Sequence, residues 1–219
     1  MSRIIDAGLE ELSATLYRMG ELAHRAVLKA LLECLEEREA HKEVREMADT
    51  LVVMADRVED KAFELIARFQ PVASDLRTIK SYMKIAYDFA RFGRYALDIS
   101  LINKRLGGLK DCEEWISSCV KDMSEKVLEM VRLSIESLKS RNAQIAEKIS
   151  ENEKEVDNIY FKFLDKLIKN STTTKCAVSS ALIIRYLKDS GPCNLHLRVN
   201  NLHRNRSQSV FEVNSHESC

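Results

Sequence analysis

The sequence predicts an all-α protein made of two tandem three-helix bundles, in which the last helix is truncated and is followed by an irregular tail. Apolar residues recur every three or four positions over long stretches, which places them on one face of a helix. The 219 residues include only six glycines and two prolines. The pattern stops at Gly107-Gly108 and then begins again, so we expect a first three-helix repeat over residues 1–106 and a second, incomplete repeat over 107–187.

The first repeat contains three amphipathic patterns of about 30 residues each, long enough for helices of about 45 Å. The apolar residues of the first pattern are Leu9, Leu12, Leu16, Met19, Leu22, Ala26 and Ala30. The second runs from about Ala40 to Phe69 and carries Val44, Met47, Leu51, Met54, Val58, Ala62 and Leu65. The third carries Leu76, Ile79, Met83, Ala86, Phe89, Phe92, Ala96, Ile99 and Ile102. Each helix has one apolar stripe to bury, so three helices joined by short loops should pack as an up-down-up bundle.

The second repeat shows the same kind of pattern. The fourth helix is predicted from Trp115, Cys119, Met123, Val127, Met130 and Ile135. The fifth is predicted from Ile145, Ile149, Val156, Ile159, Phe163 and Leu167, and the sixth, over 173–187, from Ala177, Ala181 and Ile184. The segment Met19-Gly20-Glu21 matches Met123-Ser124-Glu125, which indicates an internal repeat.

A sharp corner separates the second and third helices. Pro71 lacks a backbone N–H and fixes its own φ, so the preceding helix must end near Phe69. Ser74 is a suitable N-cap for the next helix, and Asp75 in its first turn suits the positive end of the helix dipole. We therefore predict a helix-loop-helix corner here.

The composition excludes several classes of function. Lys plus Arg and Asp plus Glu are both 34, so no strong positive field is available for nucleic acid. No apolar run has the length of a membrane span or of a signal-peptide core, which predicts a cytoplasmic protein without membrane insertion. The six scattered cysteines contain no Cys-x-x-Cys and are expected to be reduced thiols, with Cys112 and Cys119 buried on one helical face. No catalytic triad or phosphate-binding glycine loop is visible, so we expect no enzyme activity.

Three segments resemble the PhoU family of phosphate-uptake accessory proteins, over about residues 5–187. They are the corner Leu65-Ile66-Ala67-Arg68-Phe69-Gln70-Pro71-Val72-Ala73-Ser74-Asp75-Leu76-Arg77, then Met83-Lys84-Ile85-Ala86-Tyr87-Asp88-Phe89, and Ala181-Leu182-Ile183-Ile184-Arg185-Tyr186-Leu187. The resemblance implies an adaptor that restrains the ATPase of a phosphate ABC transporter and a phosphate-sensing kinase when phosphate is plentiful. Pro71, Asp75 and Arg77 are the matched corner residues. Their role is either contact with a partner protein or capping of the third helix and pairing across the corner.

Some PhoU proteins bind iron or other multivalent metal ions through carboxylates four residues apart on facing helices. Such a pair lies on one helical face and offers hard oxygen ligands. The resemblance implies a metal site in the second repeat at Glu153 and Asp157. In the first repeat this chain has Val52, Ala90 and Arg94 where the family has acidic residues, so we expect no metal site there and expect Arg94 to neutralise nearby carboxylates.

Residues 188–219 depart from the family. Asp189-Ser190-Gly191-Pro192 begins a stretch without helical period, and its composition favours an irregular polar tail. The family continues after Leu187 with a glutamate, the motif Arg-Ile-(Gly or Ala)-Asp-His-Ala and an apolar helix. An adjacent reading frame of this tail permits that missing helix with its acidic motif. Our hypothesis is that the tail is out of frame. If the chain stands as written, Glu153 and Asp157 lack their facing carboxylates and their metal site is weak or absent.

Two other functions stay open from the sequence. One is a metal-binding helical bundle, either a metal store or a carboxylate-bridged metalloenzyme. Di-iron bundles require two Glu-x-x-His pairs, and this sequence has one, Glu21 with His24, since His41 does not follow a glutamate by three residues. The other is a purely structural helical module. The sequence leaves open whether the chain forms a homodimer and which metal ion, transporter or kinase it would contact.

Overall fold

The computed structural model describes residues 4–36, 38–139 and 143–190. This part of the chain is all-α, as predicted, with six helices and no strand. The helices are α1 (Ile4–Glu36), α2 (His41–Phe69), α3 (Ala73–Leu106), α4 (Glu114–Lys139), α5 (Ala143–Lys169) and α6 (Thr174–Asp189).

The helices form two three-helix bundles around one continuous apolar core. Helices α1, α2 and α3 pack on one another, as do α4, α5 and α6, while α1 also contacts α4 and α3 contacts α6. Most residues of the predicted stripes are buried or half-buried, with Leu16, Met19, Met123 and Val127 fully buried. Leu76 is an exception, because its side chain is 44% exposed although we predicted it in the core. The division into domains at residues 106 and 107 stays a prediction, since the bundles share this core.

The two repeats bury side chains at matching positions along the chain. The predicted match of Met19 with Met123 also pairs Leu12 with Ile116 and Leu16 with Val120, and all six side chains are buried. In the same way Leu51, Val58 and Leu65 of α2 correspond to Ile149, Val156 and Phe163 of α5, which are again all buried. Equivalent positions in the two bundles can therefore be compared directly.

The α2–α3 corner forms where Pro71 predicted it. Helix α2 ends at Phe69, and Gln70 adopts a left-handed conformation (φ 43°) with its N–H bonded to the carbonyl of Ile66. Helix α3 begins at Ala73 with Val72 as N-cap in an extended conformation and without a side-chain capping bond. The predicted N-cap role of Ser74 is therefore wrong, because the helix starts two residues earlier than that role requires and takes Ser74 into its first turn.

The connection from α3 to α4 lies against the start of α6. Gly107 ends α3 in a left-handed conformation (φ 75°), as the predicted break requires. Cys112 of this connection forms a disulfide with Cys176 in the first turn of α6, across 64 residues of sequence. Two predictions are corrected here: these cysteines are not reduced thiols, and Cys112 precedes α4 rather than sharing its face with Cys119. Cys34 and Cys119 are free thiols.

Helix α6 is much shorter than its counterpart α3, with 16 residues against 34. It continues two residues beyond the predicted end at Leu187 and closes at Ser190, whose N–H bonds to the carbonyl of Tyr186. From residue 191 onward the predicted irregular, out-of-frame tail lies outside the described residues. None of the helices in residues 4–36, 38–139 and 143–190 combines the length and apolarity that a membrane crossing needs.

Candidate functional site

The acidic pair predicted as a metal site lies on α5, with both side chains half-buried. The carboxylate of Asp157 faces Lys188 of α6, whose Nζ lies 3.0 Å from Oδ1. The same ammonium group lies 4.7 Å and 4.9 Å from the ring centres of Tyr160 and Phe161. A cation held by a carboxylate and two aromatic faces thus stands where the family resemblance implies a glutamate.

This donor set does not fit a metal ion. A multivalent cation needs several oxygen ligands, and the ammonium group of Lys188 opposes it electrostatically at Asp157. The neighbouring Glu155 forms an ion pair with Lys126 of α4. Within the described residues no group of three or more histidine, cysteine, aspartate or glutamate side chains is arranged to hold a metal. Metal binding by Glu153 and Asp157 stays a prediction.

The corresponding face of the first repeat carries a cation of its own. Arg94, which we expected to neutralise carboxylates, lies with its Nε 3.4 Å from Oδ1 of Asp98. Arg91 donates to the hydroxyl of Tyr95 at 2.7 Å and lies 3.8 Å from Asp88. The bond to Tyr95 is the main reason why the pKa of Arg91 is raised. Both repeats therefore place a basic side chain where the family resemblance implies an acidic ligand.

The corner residues have different environments. Asp75 is buried, whereas Arg77 is exposed, and both side chains have polar partners within the protein. Around them lie three exposed apolar side chains, those of Phe69 (37%), Val72 (66%) and Leu76 (44%). The burial of Asp75 suits a structural role, while the three apolar side chains are exposed at the corner.

A groove between α1 and α2 is the feature that the sequence reasoning missed. It encloses about 560 Å³. Its apolar lining residues are Leu12, Leu22, Met54 and Val58, its hydroxyls are Thr15 and Thr50, and its charged residues are Glu11, Arg18, Arg25, Arg57 and Lys61.

Most of the positive charge of the groove is not neutralised by the protein. Lys61 pairs with Glu11 and Glu64, each at 3.2 Å. Arg18 donates only to the hydroxyl of Thr15, at 3.1 Å. Within the described residues, none of Arg18, Arg25 and Arg57 forms an ion pair with a carboxylate. The sequence does contain a signal for this surface, because Arg18 and Arg25 are seven residues or about two turns apart and therefore share one face of α1.

The equivalent seam between α4 and α5 carries the opposite charges. Asp122, Glu129 and Glu155 stand at the positions of Arg18, Arg25 and Arg57. Lys148 lies 2.7 Å from Glu129, and Lys126 pairs with Glu155, so ion pairs join the two helices there. The ion pair with Lys148 is the main reason why the pKa of Glu129 is lowered.

A polar cluster lies inside the first repeat, where α1, α2 and α3 meet. The Ser100 hydroxyl donates to the buried carboxylate of Glu33 at 2.5 Å and lies 2.9 Å from Nδ1 of His41. Burial is the main reason why the pKa of His41 is lowered. Burial likewise raises the pKa of the adjacent Cys34 thiol to about 12, so this thiol is unreactive. These groups satisfy one another, which indicates a structural rather than a catalytic cluster.

Known proteins resemble this chain in both sequence and fold. The PhoU domain model matches residues 16–102 and 120–191. A PhoU homologue from Clostridium acetobutylicum, described as a phosphate-specific transport system accessory protein, is 31% identical over 201 residues, covering 86% of this chain and 88% of the homologue. A homologue of the same description from Aquifex aeolicus is 31% identical over 154 residues, covering 69% and 68%.

Solved structures share the fold. The crystal structure of PhoU from Pseudomonas aeruginosa matches with a TM-score of 0.80 at 22% identity, over 92% of this chain and 96% of that one. The phosphate transport system regulatory protein PhoU from Streptococcus pneumoniae matches with a TM-score of 0.65 at 22% identity, over 92% and 94%.

Proposed function

This chain belongs to the PhoU family, and we propose that it acts as an accessory protein of phosphate uptake. In this role it is a helical adaptor without catalysis of its own. It acts in the cytoplasm, where it restrains the ATPase of a phosphate ABC transporter and a phosphate-sensing kinase when phosphate is plentiful. The observation that carries the proposal is the 31% identity, over most of both chains, to a protein described as a phosphate-specific transport system accessory protein.

The architecture supports an adaptor role. The described helices enclose a continuous apolar core, and the buried polar cluster at Glu33 is internally satisfied. The features left for function therefore lie on the surface, where they suit contact with other proteins. A metal store is not favoured as a second function, because Lys188 faces Asp157.

The α2–α3 corner is the first contact surface that we propose. Val72 and Leu76 expose apolar surface beside Arg77, and arginine is enriched in protein interfaces. Asp75 is assigned a supporting role, since it is buried in the first turn of α3.

The function is tested with the purified ATPase subunit of the phosphate transporter and the cytoplasmic part of the kinase from the same organism. We expect saturable binding of the full chain to at least one of them, measured by calorimetry. In cells lacking the endogenous protein, we expect the gene to lower phosphate uptake and kinase output at high phosphate. Absence of binding to both partners, together with unchanged uptake and kinase output, would contradict the proposal.

The corner is tested by two variants with different predicted outcomes. The surface variant Val72→Ser/Leu76→Gln should weaken partner binding about tenfold while leaving the melting temperature nearly unchanged, because both side chains are exposed. Asp75→Ala/Arg77→Ala should lower the melting temperature. Full partner binding by the surface variant would show that the corner is only a structural turn.

A further inference from the structure

We propose that the groove between α1 and α2 binds an acidic amphipathic helix of a partner protein. The proposal rests on the adaptor function proposed above and names the chemistry of one contact that the adaptor makes. The groove is formed by Arg18, Arg25 and Arg57 together with the apolar residues Leu12, Leu22, Met54 and Val58. We refer to it below as the arginine groove.

The charge of the groove is the first argument. The chain as a whole has equal numbers of basic and acidic residues, yet three arginines line this groove without a carboxylate partner in the described part of the chain. Unpaired arginines are well suited to bind carboxylates, because the planar guanidinium can donate two parallel hydrogen bonds. The ligand is therefore expected to be acidic.

The comparison with the second repeat is an independent argument. At the same three positions that repeat has Asp122, Glu129 and Glu155, and the last two are joined to lysines across the α4–α5 seam. At two of these positions the second repeat thus pairs its charges internally. In the first repeat the exposed arginines have no such pair, so they can bind carboxylates of another molecule.

The dimensions of the groove favour a helix over a small anion. The lining residues of α1 extend from Glu11 to Arg25, which is about 21 Å along the helix axis. Arg18 and Arg25 lie about 10 Å apart along one face of α1. A docked helix with acidic residues two turns apart matches this spacing.

The apolar residues that line the groove can contact the apolar face of a docked helix. Leu12 and Val58 are buried, and Leu22 and Met54 are partly exposed in the groove. The hydroxyls of Thr15 and Thr50 already donate to carbonyls of their own helices, at 3.0 Å and 2.7 Å. An apolar strip edged by arginines is the arrangement that an amphipathic helix with one acidic edge would complement.

The proposal is tested first with a synthetic peptide and the full-length protein. The probe is a helical peptide of about 20 residues, or about 30 Å, with glutamates spaced seven residues apart and leucines between them. Its controls are a peptide with lysines in place of the glutamates and one of the same composition in scrambled order. We expect micromolar binding of the probe only, measured by fluorescence anisotropy at 0.15 M salt.

Variants locate the site. Arg18→Glu/Arg25→Glu/Arg57→Glu should weaken binding of the probe at least tenfold, and the milder Arg18→Gln/Arg25→Gln/Arg57→Gln is used if the first variant folds poorly by circular dichroism. The matched control Arg45→Glu/Lys154→Glu/Lys162→Glu changes three exposed cations outside the groove and should bind within about twofold of wild type. Equal losses in both sets, or equal binding of the scrambled peptide, would overturn the proposal. Saturable binding of tripolyphosphate without binding of the peptide would do so as well.

A second measurement separates this proposal from the proposed function. If the wild-type chain binds the transporter ATPase or the kinase and the groove variant binds equally well, the groove proposal fails while the adaptor function stands. If the wild-type chain binds neither protein but still binds the probe through the three arginines, the adaptor function fails. The groove would then still be shown to bind an acidic amphipathic helix.

Discussion

The arginine groove of the first repeat and the α4–α5 seam of the second occupy equivalent places in two copies of one bundle, yet they carry opposite charges. In the seam, Glu129 and Glu155 are joined to Lys148 and Lys126. In the groove, Arg18, Arg25 and Arg57 have no carboxylate partner among the described residues. The bundle does not require ion pairs at these positions, because both repeats form the same fold. One repeat can therefore pair its charges between α4 and α5, while the other can present the charges on α1 and α2 to a partner.

The repeats also differ in how they are stabilised. Helices α1, α2 and α3 have 33, 29 and 34 residues, whereas α4, α5 and α6 have 26, 27 and 16. The second repeat therefore has less helix with which to build its core, and it contains the Cys112–Cys176 disulfide. The predictions below test how far each repeat depends on its own features.

The largest expected effect is the loss of the disulfide. Cys112→Ser/Cys176→Ser should lower the free energy of unfolding by about 2–4 kcal/mol, because the bond closes a long loop and so restricts the unfolded chain. Urea unfolding monitored by circular dichroism measures the change. Cys119→Ser, which removes a free thiol of the same repeat, is the control and should have a small effect. A change below about 0.5 kcal/mol in the double variant would show that the second repeat does not depend on the bond.

A smaller effect is expected from the polar cluster of the first repeat. Ser100→Ala removes the hydroxyl that donates to the buried carboxylate of Glu33, and it should cost about 1–3 kcal/mol. Ser134→Ala in α4 is the control, since that hydroxyl bonds only to the carbonyl of Met130 in its own helix. Similar losses of unfolding free energy in the two variants would argue against a special role of the cluster.

The stability of the first repeat should depend on pH through His24 and His41. The pKa of each histidine is lowered in the folded protein, mainly by burial. Nearby cations, including Arg132 at His24, lower it further. The carboxylates of Glu21 at His24 and of Glu33 at His41 oppose the shift. The unfolded chain then binds more protons than the folded one below the ordinary histidine pKa of about 6.5, so stability falls as the pH drops below that value.

Urea unfolding at pH 7.5 and at successively lower pH values tests this dependence. The variant His24→Leu/His41→Gln should lose less stability than wild type over this range, and leucine at position 24 matches Leu128 at the equivalent place in α4. An unchanged pH dependence in the double variant would assign the effect to other groups.

The smallest expected effect comes from transplanting one ion pair from the seam into the groove. Arg25→Glu/Thr50→Lys recreates the pair of Glu129 and Lys148 at the equivalent positions of α1 and α2. Because an exposed ion pair contributes little, the coupling free energy should be about 0.5 kcal/mol, obtained from a double-mutant cycle. The single variants complete the cycle. A coupling free energy of zero would show that the arginine groove and the α4–α5 seam differ in geometry as well as in charge. The double variant should also weaken binding of the acidic peptide.

Local sequence features were sufficient for the helices and the corner. Helix α2 ends at Phe69 because Pro71 cannot continue it, and α3 ends where Gly107 supplies a left-handed residue. Met19 and Met123, which the sequence matched to each other, both lie in the core. The corner segment also identified the family. These features depend on residues within a few turns of one another, so a linear sequence contains them.

The tertiary structure decided the features that join distant residues. Only the packing of α6 against the α3–α4 connection brings Cys112 to Cys176, and only the pairing of α5 with α6 places Lys188 on Asp157. Leu76 fits the apolar period of α3 but lies at the corner, where no neighbouring helix covers it enough to bury its side chain. The arginine groove likewise exists because α1 and α2 run side by side. Helical periodicity fixes which residues share a face, whereas the packing of the helices fixes what that face meets.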